Sequence, residues 1–78
     1  MIETFETDVV ELRKIMAEQK IVTVKKFAEV CDIDRNVAGG ILNNNAQPSS
    51  DTMFKIVAGL NIAPARAGLI FFKPKLTQ

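Results

Sequence analysis

Apolar residues recur along the chain at helical spacing. Val24, Phe27, Ala28 and Cys31 stand at i, i+3, i+4 and i+7, which gathers them on one side of a helix and leaves Lys25, Lys26 and Glu29 on the other. Met53, Ile56, Val57 and Leu60 repeat that spacing. Shorter stripes come from Leu12, Ile15 and Met16, and from Ala38, Ile41 and Leu42. The pattern predicts four helices, each burying one face against a shared core.

Residues between the stripes set the helix ends. Thr7 or Asp8 can cap the first helix, because a short side-chain oxygen accepts a hydrogen bond from a free amide of the first turn. Asp8 with Glu11 resembles a capping box. Arg13, Lys14 and Glu18 read as solvent charges, and Lys20 suits the negative end of that helix. Thr23 and Asp34 are the cap candidates of the next two helices, so residues 23–44 read as a helix, a tight turn and a second helix. Asp32 suits the turn, since a short polar side chain tolerates the left-handed conformation, and Ile33 can tuck beneath it. Arg35, Asn36, Gly39, Gly40 and Asn43 are expected to face out. Asn43, Asn44, Asn45, Ala46, Gln47 and Pro48 read as a loop. Ser49, Ser50 or Asp51 caps the following helix, and Asn61 closes it.

Both ends of the chain depart from this spacing. Residues 1–6 have no clear period and fit a short strand or an arm. Ala63 and Pro64 fit the start of a short fifth helix, whose length Gly68 is expected to limit. Leu69, Ile70, Phe71 and Phe72 form an apolar run whose aromatics favour a strand, ended by Pro74. Either this tail packs on its own core, or it pairs with a second subunit and shields a sticky edge. The second reading is preferred, because a 78-residue chain buries a modest core that often needs a partner. Residues 1–78 are then a single domain, residues 66–78 its dimerisation tail, and Leu69 to Phe72 the contacts of a homodimer.

FAEVCDIDRNVAGGILNN, from Phe27 to Asn44, followed by PSSDTMFKIVAGLNI, from Pro48 to Ile62, resembles the helix-turn-helix of the Cro and phage-repressor (XRE) regulators. The resemblance covers roughly residues 9 to 70 and needs no gap between Thr23 and Ile62. It implies a mostly α, compact four- to five-helix lambda-repressor-like helix-turn-helix domain, with room for a short C-terminal strand or arm. In function it implies a transcriptional regulator of the phage or prophage type, a Cro-like repressor binding double-stranded DNA at a palindromic operator. The family often has Gln, Gly, a large aliphatic residue and Glu where this chain has Val24, Asp32, Ala38 and Leu42. Loss of the Gln removes a phosphate contact. Ala17 and Leu42 stand where many relatives hold an Arg and Glu pair, and replacing both partners by apolar groups is consistent, since losing one alone would strand a charge.

A helix in the major groove reads base edges with its N-terminal half, while neighbouring donors hold phosphates. Arg35 and Asn36 occupy that half; Arg can pair with guanine O6 and N7, and Asn with adenine N6 and N7. Gly39 and Gly40 together cost about 2 kcal/mol of helix propensity relative to alanine. Close approach to DNA would explain them, as would close helix packing or a helix ordered only on binding. These four are the expected base-reading set. Thr23, Lys25 and Lys26 at the front of the preceding helix are expected phosphate contacts, together with Asn43, Asn44, Asn45 and Gln47. For that loop, plain turn chemistry is the competing reading.

Composition narrows the alternatives. The chain has no histidine, so the common general base and the usual imidazole metal ligand are both missing. No carboxylate pair or metal-ligand spacing stands out, and Gly39-Gly40 lacks the Gly-Lys-Ser/Thr of a phosphate loop. Neither enzymatic activity nor a metal or cofactor is expected. Cys31 is a single thiol on an inward stripe and reads as core. No apolar run approaches the roughly 18 residues that span a bilayer, and the first twelve residues carry four acids and no base, unlike a signal peptide. The expected location is the cytoplasm. A net charge of +1 does not by itself point to nucleic acid. Acids do gather at the front, at Glu3, Glu6, Asp8 and Glu11, and bases after Asp51, at Lys55, Arg66, Lys73 and Lys75. The low charge and the two helix glycines favour one rival reading, a protein-interaction module of antirepressor or antitoxin type that keeps the fold.

Overall fold

The computed structural model describes residues 2–76. Five helices are flanked by two short strands: β1 (Ile2–Glu6), α1 (Val9–Glu18), α2 (Val24–Cys31), α3 (Arg35–Asn44), α4 (Ser50–Leu60), α5 (Pro64–Phe71) and β2 (Lys73–Leu76). Side-chain caps start four of the helices. The carboxylate of Asp8 accepts from the Glu11 amide at 3.2 Å, the Thr23 hydroxyl from the Lys26 amide at 3.0 Å, Asp34 from the Asn36 amide at 2.7 Å, and Ser49 from the Thr52 amide at 3.3 Å. Each satisfies a donor that the helix itself leaves open. Asp32, Asn45 and Asn61 end α2, α3 and α4 in the left-handed conformation, with φ of 54°, 56° and 53°. Short polar side chains make that conformation accessible.

The apolar stripes meet in one core. Leu12, Ile15 and Met16 of α1, Phe27 and Cys31 of α2, and Ala38, Ile41 and Leu42 of α3 are buried together with Ile56, Leu60, Ile70 and Phe71. Gly59 lets α4 lie close against the end of α2: a Cβ there would stand 2.8 Å from the Val30 carbonyl oxygen and 3.0 Å from Cys31 Cα. Thr7, fully buried, joins three parts of the chain. Its hydroxyl donates to the Ala46 carbonyl at 2.7 Å, its own carbonyl accepts from the Asn45 side-chain amide at 3.4 Å, and the following Asp8 amide donates to the Ile70 carbonyl at 2.6 Å.

Several expectations need correction. Leu69 to Phe72 is not a strand: α5 passes through Gly68 and ends at Phe71. Burial of Ile70 and Phe71 in the core outweighs the local strand preference of the run, as tertiary packing commonly does. The four residues therefore divide, with Ile70 and Phe71 packed inside this chain and only Leu69 and Phe72 exposed. Pairing begins at Lys73 and includes Pro74. Strands β1 and β2 run antiparallel with Glu6 opposite Lys73, Phe5 opposite Pro74 and Thr4 opposite Lys75, and the register shifts between Ile2 and Thr4. In a two-stranded sheet each strand is an edge, where a proline lacking its amide hydrogen is tolerated. The tail thus pairs with the N-terminus of its own chain, and the rings of Phe5 and Phe72 meet edge-on with centroids 5.7 Å apart.

Three smaller differences concern single residues. Helix α3 continues two residues into the expected loop, to Asn44. Lys20 lies beyond the end of α1 with a φ of 61° rather than in its last turn. Ala17 is exposed, while Leu42 is 4% exposed and part of the core.

Candidate nucleic-acid interface

Helices α2 and α3 are joined by the three residues Asp32 to Asp34. The turn is fixed from both sides. Its left-handed residue, Asp32, is followed by Ile33, whose amide donates to the Ala28 carbonyl at 3.0 Å while its side chain packs against the core. Asp34 then starts α3 by accepting from two amides of its first turn. A capped turn with an apolar residue under it leaves the two helices little freedom to reorient, which an interface on their outer faces requires.

The outer face of α3 begins with Arg35 and Asn36, both exposed. Neither side chain has a hydrogen-bond or ion-pair partner among the described residues. Arg35 borders a shallow cleft of about 320 Å³ whose other walls include Lys25, Glu29 and Asp32, so it lies on the side of α3 nearest α2. Val37, 41% exposed, joins this end of the helix. The sequence pattern did not single it out, although its absence from the Ala38, Ile41 and Leu42 stripe is a usable signal.

Gly39 and Gly40 are half-buried rather than fully outward. Close packing within the chain does not account for them. A Cβ on Gly39 would meet Asn43 Nδ2 at 3.9 Å and Val24 Cγ1 at 4.0 Å, and one on Gly40 would meet the Ala46 Cβ at 3.9 Å, all ordinary contact distances. Gly59 has the opposite environment, with a backbone carbonyl in the way. The middle of α3 is therefore lower in profile than its own fold demands.

Around α3 the other expected contacts fall into two groups. Lys25 and Lys26 are exposed in the first turn of α2 and form no ion pair among the described residues; Thr23 spends its hydroxyl as acceptor for the Lys26 amide. Asn43, Asn44 and Gln47 are exposed at the far end of α3, whereas Asn45 is half-buried and its side-chain amide is committed to the Thr7 carbonyl. Buried Pro48 and the Thr7–Ala46 bond hold this loop in place. Cys31 lies behind the turn, 2% exposed, and burial pushes its thiol pKa up to about 11, so it is a core group and not a reactive one.

No family model and no curated protein matches the sequence. Solved structures do. The chain is similar to the restriction-modification controller protein C.AhdI from Aeromonas hydrophila, with a TM-score of 0.62 and 20% identity over 76% of this chain and 88% of that one. It is also similar to the hypothetical transcription factor NHTF from Neisseria, with a TM-score of 0.53 and 18% identity over 86% of this chain and 83% of that one. With α2, its three-residue turn and α3 set in a five-helix frame, this chain has the helix-turn-helix fold of those two proteins.

Proposed function

We propose that the chain is a sequence-specific, DNA-binding transcriptional regulator that binds a palindromic operator as a dimer. The observation that carries this reading is the outer face of α3. Arg35 and Asn36 project unpartnered from its N-terminal end, and Gly39 and Gly40 follow with no packing reason inside the chain. A major groove accepts a helix presented this way, with Arg and Asn supplying paired donors and acceptors to guanine and adenine edges and the bare backbone allowing close approach. Lys25 and Lys26, with the α2 N-terminus, then lie where they can hold phosphates, and Asn43, Asn44 and Gln47 serve a second stretch of backbone. Asn45 contributes through its position in the loop, since its amide is already engaged.

That one structural neighbour is a restriction-modification controller and the other a hypothetical transcription factor supports regulation over catalysis. Among the described residues no helix is long and apolar enough to cross a membrane. Mobility shift against random duplex at low salt tests the reading, followed by selection of bound sites from a random library. A DNA binder retains random duplex with an affinity that falls steeply as salt rises, and the selected sites share a two-fold-related sequence. Absence of any shift at low salt would favour a protein-interaction module instead.

A further inference from the structure

Val37 is the exposed large apolar side chain of α3, and it is not among the side chains packed against the core. A β-branched residue is a poorer helix former than alanine, so neither burial nor helix propensity accounts for a valine there. Its surroundings are apolar and partly empty. Gly40 follows at i+3 from Val37 and i+4 from Asn36, so its missing side chain leaves a gap beside both. Beyond the backbone of α3 itself, a Cβ built at Gly40 would find one atom within 4 Å, the Cβ of Ala46 at 3.9 Å. Ala46 is exposed and is held from two sides: its amide donates to the Gly40 carbonyl at 3.3 Å, and its carbonyl accepts from the Thr7 hydroxyl at 2.7 Å. The outer face of α3 thus carries a notch with a floor of Gly40 backbone, bordered by Val37 and Ala46. It has room for a methyl group, since that is what a Cβ at Gly40 would be.

We propose that Val37 is a specificity-determining residue, and that the notch beside it takes the C5 methyl group of a thymine next to the base that Asn36 reads. The proposal rests on the DNA-binding reading above and deepens it. Of the groups that unmodified base pairs present in the major groove, the thymine methyl is the apolar one; the others are hydrogen-bond donors and acceptors. Arg35 and Asn36 can answer those polar groups. Valine has no donor or acceptor on its side chain, so on this face it discriminates between bases by apolar contact alone. One buried methyl group is worth about fourfold in affinity. Thymine is the expected source, because unmodified DNA carries this methyl on no other base. 5-Methylcytosine presents the same group at the same place and supplies a second arm of the test.

The test uses the full chain and the operator selected from random DNA. Each thymine is replaced in turn by uracil, which removes the methyl and leaves the pairing edge unchanged, and affinity is read by mobility shift. At one position of each half-site the replacement should weaken wild-type binding about fourfold. Val37→Ala should weaken binding to the thymine operator by a similar factor, bring thymine and uracil level, and leave binding to random duplex unchanged. Gly40→Ala makes the converse change, because its methyl group fills the notch: it should bind the uracil operator better than the thymine one. A helix merely perturbed by substitution would not prefer the base that lacks a methyl. With cytosine or 5-methylcytosine at the same position, wild type should favour the methylated base by about the same factor. Circular dichroism establishes that both variants are folded. Uracil that is neutral at every thymine overturns the proposal and leaves the DNA-binding reading standing, since an operator has then been selected. So does a uracil effect that persists unchanged in both variants, or equal binding of cytosine and 5-methylcytosine. A chain that retains no duplex at low salt overturns both readings, so the two failures are distinct.

Discussion

The Arg13 guanidinium donates to the Leu42 carbonyl at 3.4 Å, tying α1 to the last turn of α3. A cation there also faces the negative end of the helix. The bond is long and Arg13 is exposed, so this tie is a weak one, and most of the bracing comes from the Leu42 side chain, buried at 4% exposure. Arg13→Ala should therefore cost less than about 1 kcal/mol. Leu42→Glu should cost about 3 kcal/mol or more, because it places a charge in the core without its partner. Ala17 is exposed on α1, and adding Ala17→Arg to Leu42→Glu should recover part of the loss. Thermal unfolding followed by circular dichroism measures all three, and an unchanged midpoint for Leu42→Glu alone would refute the packing argument.

The glycines make a paired prediction about stability and binding. Gly59→Ala should destabilise by about 1–3 kcal/mol despite alanine's better helix propensity, since its methyl group would be driven into the Val30 carbonyl. Gly40→Ala meets only ordinary contacts and should stabilise by about 0.5–1 kcal/mol. If the bare face of α3 serves close approach to DNA, that same Gly40→Ala variant binds its operator more weakly while melting at a higher temperature. A variant that melts higher and binds unchanged would show that the face is not in close contact.

What is legible in the sequence is local. Thr23, Asp32 and Asp34 mark the ends of α2 and α3 because capping and left-handed turns depend on one side chain and the few amides beside it. The inward stripes of α1 to α4 follow from helical spacing alone. What escapes it depends on contacts distant in sequence. Leu69 to Phe72 has strand-like composition, and only the core waiting for Ile70 and Phe71 makes it helical. Pairing of Glu6 with Lys73, and the bonds of Thr7 to Asn45 and Ala46, join segments whose local sequence carries no sign of each other. In the candidate site, the exposure of Arg35 and Asn36 can be read from the stripe opposite them, but the commitment of the Asn45 amide to Thr7 cannot.

Burial of Cys31 gives the fold a pH dependence of known sign. The thiol pKa is raised in the folded chain to about 11 from an ordinary value of 9.0 because burial disfavours the thiolate. The folded state therefore holds this proton more tightly than the unfolded state does. Its contribution to stability is complete below about pH 9 and disappears as pH rises toward about 11. Compared with Cys31→Ala, the wild-type chain should lose additional stability across that window in denaturant titrations. At pH 8 a thiol reagent should label the native chain far more slowly than the urea-unfolded one; equal labelling rates would contradict the burial.

The division between base reading and phosphate holding rests on where the cationic side chains stand, Arg35 opening α3 and Lys25 and Lys26 opening α2. A base-edge contact discriminates between sequences, so removing it should cost about 1–3 kcal/mol on the selected operator and relax the choice at one base position. Arg35→Ala is expected to behave this way, weakening operator binding more than binding to random duplex. A phosphate contact carries no sequence information. Lys25→Ala and Lys26→Ala should weaken all duplexes alike, and each should reduce the dependence of log affinity on log salt by about one unit, because one phosphate is no longer neutralised. Circular dichroism first establishes that each variant is folded, which the exposure of all three side chains leads one to expect. Salt titrations of operator and random duplex then separate the roles: an Arg35→Ala variant that loses affinity equally for both would make Arg35 a phosphate contact and move the reading face toward Asn36 and Val37.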